Sequence, residues 1–449
     1  MKLLCLSNGH GEDLIAVNIL EQLRQQSPAI EVAALPLVGE GRAYARSDIP
    51  ISGPVKAMPS GGFIYMDGRQ LWNDVRGGLL GLTLAQYRLV RQWRRQGGKI
   101  LAVGDIVPLL FAWLSGCDYA FVGTAKSEYY LRNEAGWLSR SRSLEGWSGS
   151  VYLPWERWLM SRSRCRAVFP RDSLTASVLK QFKIPASDLG NPMMDGIQPE
   201  LPLHWSPNAD AAVVAQRPLV VLLLPGSRAP EAYNNWQLIL AALQSLVAAM
   251  PARSLLALGA IAPALQTNPL IQALNQQGWQ HLDPLPAGLP FYDPNAISFT
   301  LPQASSPPPA QLPGELTAYQ AATLPPRTVQ LLLTQSAYNS CLTVADFAIA
   351  LAGTATEQFV GLGKPVVTLP GRGPQFTPQF AEAQTRLLGT SVFLVPKPAQ
   401  VGKTIAGMLA NPDLLQVVAE NGERRMGKPG AAARMAARLR VIFATDCRS

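Results

Sequence analysis

Residues 222–231 read LLLPGSRAPE, an apolar run that ends in a Pro-Gly-Ser turn followed by an arginine. Residues 350–371 read ALAGTATEQFVGLGKPVVTLPG and repeat this order of apolar strand, glycine loop and helix start. Glycine lets a backbone approach a ligand closely, and the free N–H groups at the start of a helix attract phosphate oxygens. The two stretches therefore predict strand–loop–helix units that hold a diphosphate, although either turn alone is equally consistent with a plain βα connection.

Short apolar runs alternate with helical patterns over the whole chain, which predicts parallel strands joined by crossover helices. The expected strands fall into two series, at 2–6, 31–37, 99–103, 119–122 and 167–169, and at 219–224, 254–258, 329–333, 347–351 and 365–369. Helices are expected from about Glu12, at 79–95, at 173–182 and after Trp236. The fold class is therefore α/β, with two Rossmann-like parallel-sheet domains that face each other across a cleft.

The domain boundaries follow from the linker and from two unusual segments. We expect an N-terminal domain over 1–195 and a C-terminal domain over 196–430. A segment at 282–326 contains 11 prolines in 45 residues and is expected to form neither helix nor sheet. The terminal stretch 431–449 is expected to form a helix that packs back on the N-terminal domain.

Composition limits the classes of protein to which the chain can belong. With 449 residues, 48% of them hydrophobic and 15% charged, it suits two or three globular domains and excludes collagen, coiled coil and wholesale disorder. The most apolar stretch, 107–122, is interrupted by polar residues, so no spanning helix is expected and the protein is predicted to be cytoplasmic. The five cysteines lie far apart, which favours buried thiols over disulfides or zinc ligands.

The three motifs LLLPGSRAPE, LGNPMMDG (189–196) and AGTATEQFVGLGKPVV (352–367), in this order, resemble the lipid-A-disaccharide synthase family, and most closely a divergent branch of the cyanobacterial type. SNGHGEDLIAVNIL (7–20) is similar to that family's first strand-to-helix loop. The resemblance implies a GT-B architecture, an inverting hexosyltransferase activity and a UDP-sugar donor, with no further cofactor and no metal. It implies that the UDP part is held by seven residues: Gly226, Ser227, Arg228, Gly353, Thr354, Thr356 and Glu357. An alternative for two of these is structural, with Thr354 capping a helix and Glu357 completing a capping box.

The catalytic base is expected in the N-terminal domain, where a side chain must take the proton of the acceptor hydroxyl. His10 lies in a glycine-flanked loop and resembles the loop histidine of related lipid-linked transferases, while Asp105 follows an expected strand. Each has a structural alternative, His10 as a backbone hydrogen-bond partner and Asp105 as a helix cap. The loop residues Asn8, Gly9, Gly11 and Asp13 are assigned to the loop that faces the acceptor. Glu12 and Asp13 are further candidates, better explained as first-turn carboxylates that complement the helix dipole.

Charge and aromatic residues indicate an anionic partner. The net charge is +9, and residues 1–195 hold 23 basic and 17 acidic residues. Arginines alternate with Tyr87, Leu89, Val90 and Trp93 at 85–95, and the segment 126–166 combines basic residues with Trp147, Trp155 and Trp158 among other aromatics. This pattern is typical of an interfacial element, although a solvated helix face explains it equally well. No nucleic-acid-binding signature is present, so the resemblance to lipid-handling enzymes favours the cytoplasmic face of a membrane.

We therefore expect an inverting glycosyltransferase that moves a sugar from a UDP-sugar to a lipid-linked or membrane-proximal acceptor, and the resemblance to lipid-A-disaccharide synthases is compatible with a homodimer. Two other functions compete with it. A non-hydrolysing UDP-sugar epimerase uses the same two-domain frame but needs more acid–base side chains than three histidines offer. A non-catalytic UDP-binding scaffold at a membrane is suggested by the altered segment around Asp105.

Overall fold

The structure is a computed structural model, and it describes residues 2–55, 79–138, 146–205, 217–302 and 327–444. The chain divides into two compact units. The first unit is drawn from residues 1–195 and 424–449, and the second from residues 196–423. Each unit is an α/β domain built on a parallel sheet, so the expected fold class is confirmed.

The first unit contains a five-stranded parallel sheet in the order β2-β1-β3-β4-β7. Its strands are β1 (Lys2–Ser7), β2 (Glu31–Pro36), β3 (Lys99–Gly104), β4 (Tyr119–Gly123) and β7 (Cys165–Phe169), and β5 (Arg132–Asn133) with β6 (Gly136–Trp137) makes a separate hairpin. The helices are α1 (His10–Gln26), α2 (Arg42–Arg46), α3 (Leu79–Arg95), α4 (Ile106–Ser115), α5 (Pro154–Met160) and α6 (Ser173–Gln181). Strand β2 lies on one side of β1 and strand β3 on the other. The boundary between β1 and β3 is therefore a topological switch point.

The second unit contains an eight-stranded sheet in the order β10-β11-β12-β9-β8-β13-β14-β15. Its strands are β8 (Leu219–Leu224), β9 (Leu255–Ala260), β10 (Gln280–Leu282), β11 (Ile297–Thr300), β12 (Val329–Thr334), β13 (Phe347–Ala350), β14 (Val366–Thr368) and β15 (Val392–Leu394). The helices are α7 (Glu231–Ala249), α8 (Asn268–Gln276), α9 (Tyr338–Val344), α10 (Thr354–Gly361), α11 (Pro378–Leu388), α12 (Val401–Leu409) and α13 (Pro412–Met426). Every residue of β8 is buried, as a continuous apolar run in a parallel sheet predicts.

The end of the chain belongs to the first unit. Helix α14 (Ala431–Ala444) packs on α1 and shares its hydrophobic core. The carboxylate of Asp195 accepts hydrogen bonds from the backbone N–H groups of Gly430, Ala431 and Ala432, at 2.5, 3.1 and 2.6 Å. Asp195 therefore caps the start of α14. This gives a structural role to the motif at 189–196, which contains Asp195 and for which the sequence alone gave no physical role.

Three sequence expectations are corrected by the structure. The second unit ends at residue 423 rather than 430, and the residues that follow belong to the first unit, where the guanidinium carbon of Arg425 lies 3.5 Å from the ring centroid of Tyr129. Helix α7 begins at Glu231, five residues before Trp236. The proline-rich segment contains β11, whose four residues lack proline and pair antiparallel with β10 and β12. Residues 303–326 of that segment lie outside the described residues.

The cysteines are buried thiols wherever the structure describes them. Cys5, Cys117, Cys165 and Cys341 lie in the cores of the two units, while Cys447 lies outside the described residues. Burial raises the pKa of the Cys165 thiol to about 12, so it stays protonated. These four residues are therefore packing groups rather than nucleophiles.

Candidate functional site

The turn after β8 is built around Gly226. Its φ of 97° is in the left-handed region, and a Cβ added there would lie 3.3 Å from the carbonyl oxygen of Leu351. Asn235 stabilises the turn, since its side-chain amide donates to Pro225 O at 3.0 Å. Ser227 and Arg228 follow on the exposed side of the turn. The sequence LLLPGSRAPE thus gives a tight turn that presents a hydroxyl and a guanidinium at the end of a buried strand.

The loop after β13 forms the neighbouring part of this edge. Gly353 is the N-cap of α10, whose first residue is Thr354, and no side chain caps the helix, so the structural alternative of a capping box formed by Thr354 and Glu357 is wrong. Thr356 is fully buried and its hydroxyl donates to Ala352 O at 2.7 Å. Thr356 therefore shapes the loop from inside, whereas Thr354 is exposed and Glu357 half-buried.

These two loops lie side by side because β8 and β13 are parallel neighbours, with Leu224 paired to Ala350. The order of strands also reverses here, since β9 and β12 lie on one side of β8 and β13 to β15 on the other. Ligands of open α/β sheets bind beyond the carboxyl ends of the strands at such a switch point. The structure therefore brings the turn of Gly226 and the loop of Gly353 to one edge of the second unit.

A third loop, which sequence reasoning missed, lies at the same edge after β14. Glu231 is buried at the start of α7, and its carboxylate accepts a 2.6 Å hydrogen bond from the backbone N–H of Phe376. A Cβ added to Gly373 would lie 2.0 Å from Glu231 Oε1, so the loop is wrapped closely around this carboxylate. Arg372 is exposed in the loop. The glycines of the GRGP sequence at 371–374 are the signal that could have indicated such a wrapped loop.

A cavity of about 160 Å³ lies at the end of β12 in the second unit. Its lining combines three apolar with five polar residues: Ile261, Ile297, Leu333, Thr267, Asn295, Thr334, Gln335 and Ser336. Buried Asp293 fixes the polar side by accepting hydrogen bonds from the hydroxyls of Thr334 and Ser336, at 2.5 and 2.8 Å. Apolar walls combined with a few fixed polar groups are typical of small-molecule pockets.

In the first unit, the ends of β1 and β3 are joined by Asn8 and Asp105. The side-chain amide of Asn8 donates to Asp105 Oδ2 at 3.0 Å. The other oxygen of Asp105 accepts from the backbone N–H of Val107 at 2.8 Å, which makes Asp105 the N-cap of α4. Burial raises the pKa of the Asp105 carboxyl, and the hydrogen bonds from Val107 and Asn8 oppose that rise. Two predicted site residues are therefore in contact, with Asp105 also serving as the helix cap that was its structural alternative.

The glycine-flanked loop leads directly into α1, whose first residue is His10. The side chain of His10 lies outside the described residues, so its role as base stays a prediction. Gly9 has a φ of 136° and a Cβ there would lie 3.0 Å from Glu12 Oε2, whereas nothing lies within 4 Å of a Cβ at Gly11. The positive φ therefore favours glycine at position 9, and a side chain there would also crowd the carboxylate of Glu12.

Asp13 points into the core of the first unit rather than toward the acceptor side of the loop. It is 3% exposed, and Oδ1 accepts a 2.6 Å hydrogen bond from the hydroxyl of Ser7, which in turn accepts one from Tyr44. Burial raises the pKa of the Asp13 carboxyl to about 6. We therefore assign Asp13 to the internal hydrogen-bond chain that holds β1, α1 and α2 together.

The basic and aromatic segments separate into two kinds of surface. On α3, Val90 and Trp93 are buried, and the helix exposes Arg88, Arg91, Arg94 and Arg95, so this is an ordinary amphipathic helix with a solvated basic face. By contrast, Trp147, Trp155 and Trp158 are 65, 52 and 45% exposed. These three form the exposed tryptophan surface, which lies around α5. In the described parts of the chain, no helix has the length and apolar character needed to cross a bilayer.

Neither a protein-family model nor a curated protein sequence matches the chain. Solved structures do match over nearly its whole length. A Listeria monocytogenes protein assigned as a UDP-N-acetylglucosamine 2-epimerase has a TM-score of 0.55 at 13% identity, covering 99% of this chain and 97% of its own. MurG from Acinetobacter baumannii has a TM-score of 0.53 at 13% identity, covering 98 and 99%. The Staphylococcus aureus MnaA–UDP co-structure has a TM-score of 0.54 at 11% identity, covering 99 and 97%.

At this level of identity the likeness shows the fold, which is the two-domain α/β fold of the GT-B class. None of these three structures is named as a lipid-A-disaccharide synthase, so the specific resemblance to that family stays a prediction from the sequence motifs.

Proposed function

We propose that the protein is a UDP-sugar-dependent glycosyltransferase that transfers the sugar, with inversion, to a lipid-linked or membrane-proximal acceptor. The observation that carries this proposal is the edge of the second unit where the loops after β8, β13 and β14 lie side by side. Each loop is held in place by a side-chain hydrogen bond: Asn235 donates to Pro225 O, Gln384 donates to Ala352 O, and Glu231 accepts from the backbone N–H of Phe376. The edge is therefore preorganised, which is how an enzyme stabilises charge that develops on a leaving group.

The chemistry of this edge suits a diphosphate. Arg228 and Arg372 present guanidinium groups, which bind phosphate oxygens through paired hydrogen bonds. Helix α10 begins at Thr354, so its first N–H groups and its dipole favour an anion at the same edge. In this proposal the departing UDP is stabilised by arginine and backbone groups, and Glu357, in the first turn of α10, is assigned to accept from sugar or ribose hydroxyls.

The cavity at the end of β12 suits the base of the nucleotide. Strand β12 is two positions from β8 in the sheet, which corresponds to about 10 Å at the usual strand spacing. A ribose and diphosphate span such a distance between the cavity and the turn of Gly226. The fixed hydroxyls of Thr334 and Ser336 offer polar partners for the edge of a uracil.

The similar structures support a uridine nucleotide, since MnaA was solved with UDP and a Neisseria meningitidis UDP-GlcNAc 2-epimerase (TM-score 0.52) was solved with UDP-GlcNAc. The first test is calorimetric binding of UDP, with ADP and GDP as controls. We expect saturable binding of UDP and a thermal shift that exceeds those of the other nucleotides. Absence of UDP binding at millimolar concentration contradicts the proposal.

Epimerisation of a UDP-sugar is the second candidate, because several of the matching solved structures are UDP-GlcNAc 2-epimerases. The two activities differ in whether an acceptor is needed. Incubation with UDP-GlcNAc in D₂O, followed by proton NMR, separates them: an epimerase changes the configuration at C2 and exchanges its hydrogen without any acceptor. A transferase leaves C2 unchanged and releases UDP when an acceptor is supplied.

The exposed tryptophan surface supports a membrane-proximal acceptor. Arg162 stacks on Trp158 with its guanidinium carbon 4.4 Å from the ring centroid, so a cation and an aromatic ring are presented together. The α5 helix also begins at the carboxyl-end edge of the first sheet, where Glu156 pairs with Lys126 at 2.6 Å. Rings at the headgroup level with arginines beside them suit an anionic bilayer.

Vesicle sedimentation tests this assignment. We expect the protein to bind vesicles that contain phosphatidylglycerol, and Trp155→Ser with Trp158→Ser to weaken binding at least tenfold. Tyr292→Ser, which removes a 60% exposed aromatic from the second unit, is the matched control and should have no effect. Equal binding by all variants contradicts a role for the tryptophan surface.

A further inference from the structure

Glu12 occupies the switch point of the first sheet. It lies in the first turn of α1, and its carboxylate is next to Gly9 at the end of β1, as described above. A Cβ added to Gly104, at the end of β3, would lie 3.2 Å from Glu12 Cγ. Both glycines have positive φ, 136° and 129°, so the backbone of two adjacent strands is shaped to admit this one side chain.

A second observation at this place points to a ligand. Asn8 is only 5% exposed, and its carbonyl oxygen Oδ1 has no hydrogen-bond partner among the described residues. Its amide nitrogen is already committed to Asp105, which fixes the direction of the side chain. A buried acceptor without a donor is costly in a folded protein, and a binding or catalytic role is one explanation for such an atom. A hydroxyl supplies the missing donor.

The other carboxylates nearby are already engaged. Asp105 uses both oxygens, for Val107 N–H and for Asn8, and Asp13 is held in the core by Ser7. Glu12 remains half-buried, with the hydroxyl of Thr124 as a neighbour. Burial raises the pKa of the Glu12 carboxyl, and the negative charges of Asp105 and Asp13 add to that rise, while hydrogen bonding to its own backbone N–H and to Thr124 opposes it. A carboxylate of raised pKa is a stronger base than an ordinary glutamate.

We propose that Glu12 is the general base of the reaction, with Asn8 orienting the acceptor hydroxyl, an inference that rests on the proposed transferase function. The Glu12 carboxylate takes the hydroxyl proton while the acceptor oxygen forms its bond to the anomeric carbon. The bond between that carbon and the phosphate oxygen breaks, and its electron pair leaves with UDP. Asp105 is then a positioning residue that acts through Asn8.

The test measures release of UDP from UDP-GlcNAc, UDP-glucose and UDP-galactose, with water alone and with a dispersed bacterial lipid extract. Glu12→Gln is expected to lower kcat at least 100-fold, since general base catalysis contributes a factor of about 10²–10⁴ to the rate. Its affinity for UDP should stay within twofold of the wild-type value. Glu12→Asp should recover part of the rate and move the acidic limb of the pH profile. Glu21→Gln, on the same helix, is the matched control and should keep the wild-type rate.

The outcomes separate this inference from the proposed function. Retention of kcat within threefold in Glu12→Gln overturns Glu12 as the base, as does an equal loss in Glu21→Gln. A wild-type protein that binds UDP but releases none from any donor also overturns it, while leaving nucleotide binding intact. A wild-type protein that binds no UDP overturns the transferase itself.

Discussion

Asn8 and Asp105 tie the first strand of the chain to the third, through a hydrogen bond of 3.0 Å between their side chains. The two residues are 97 positions apart, and each follows a strand of the same parallel sheet. Asp105 is also the N-cap of α4, so one carboxylate fixes both a helix start and the neighbouring loop. A substitution of Asp105 that keeps the helix cap and one that removes it should therefore separate its effect on stability from its effect on catalysis.

Asp105→Ala should destabilise the first unit by about 1–2 kcal/mol, because the N-cap of α4 is lost. Asp105→Asn should be milder, since asparagine is an equally good N-cap. If Glu12 is the base, kcat of Asp105→Asn should stay within about tenfold of the wild-type value. If Asp105 is the base instead, kcat of this variant should fall about 10²-fold or more. Urea unfolding and UDP release measured on the same samples give both quantities. A fully stable but inactive Asp105→Asn protein would restore Asp105 as the base.

The strands were predictable because their signal is local. Runs such as LVVLLL at β8 are wholly apolar, and a parallel sheet buries both faces of such a run. The strand β11 was missed because prolines surround its four residues, and its pairing with β12 is a tertiary property. Sequence spacing likewise gave no signal that α14 would be capped by Asp195, 235 residues before Gly430.

The positions of the candidate-site loops were predictable where they depend on the same local strand signal. The turn of Gly226 and the loop of Gly353 follow strands, so their approach to one edge follows from parallel topology. The inward direction of Asp13 and Thr356 depends on which face of a helix packs on the sheet, and a first-turn position does not reveal that. The loop wrapped around Glu231 depends on a contact between residues 145 positions apart.

Gly226→Ala tests whether the turn after β8 holds a ligand. Alanine is strained at a φ of 97° and would press on Leu351 O, so we expect a loss of stability of about 1–2 kcal/mol. Gly278→Ala is the matched control, because Gly278 has a φ of 85° with open space around it. Both variants should lose similar stability, but only Gly226→Ala should lose UDP affinity, by tenfold or more in calorimetry. Equal affinities in the two variants contradict a nucleotide site at this turn.

Arg228→Ala and Arg372→Ala test the charge at this edge. Hydrogen bonds to charged groups are worth about 1.5–3 kcal/mol, so each substitution should weaken UDP binding about tenfold to a hundredfold. The loss should be smaller for uridine, which lacks the diphosphate. Lys403→Ala removes an exposed cation elsewhere in the second unit and should leave both affinities unchanged. Equal losses for UDP and uridine would show that the arginines do not contact the phosphates.

Asp13 should make stability depend on pH in the acidic range. Its folded pKa of about 6 is above its ordinary value of 3.8, so the neutral form favours folding. This contribution is complete below about pH 4 and is lost as the pH rises through 6, an effect of up to about 3 kcal/mol. Asp13→Asn keeps an acceptor for Ser7 without the charge. The free energy of unfolding of Asp13→Asn should therefore rise relative to that of the wild type from pH 4 to pH 7. A difference that does not change with pH contradicts the assignment.

Asp195→Ala should release the end of the chain from the first unit. Its carboxylate satisfies three N–H groups at the start of α14, and loss of a helix cap costs about 1–2 kcal/mol. The core residues that α14 contributes, among them Met435 and Leu439, then become transiently exposed, so limited trypsin digestion should cut at Arg434 and Arg438 sooner than in the wild type. Asp413→Ala removes a first-turn carboxylate of α13 and is the matched control. Equal digestion rates in the two variants would mean that packing on α1 alone holds the helix.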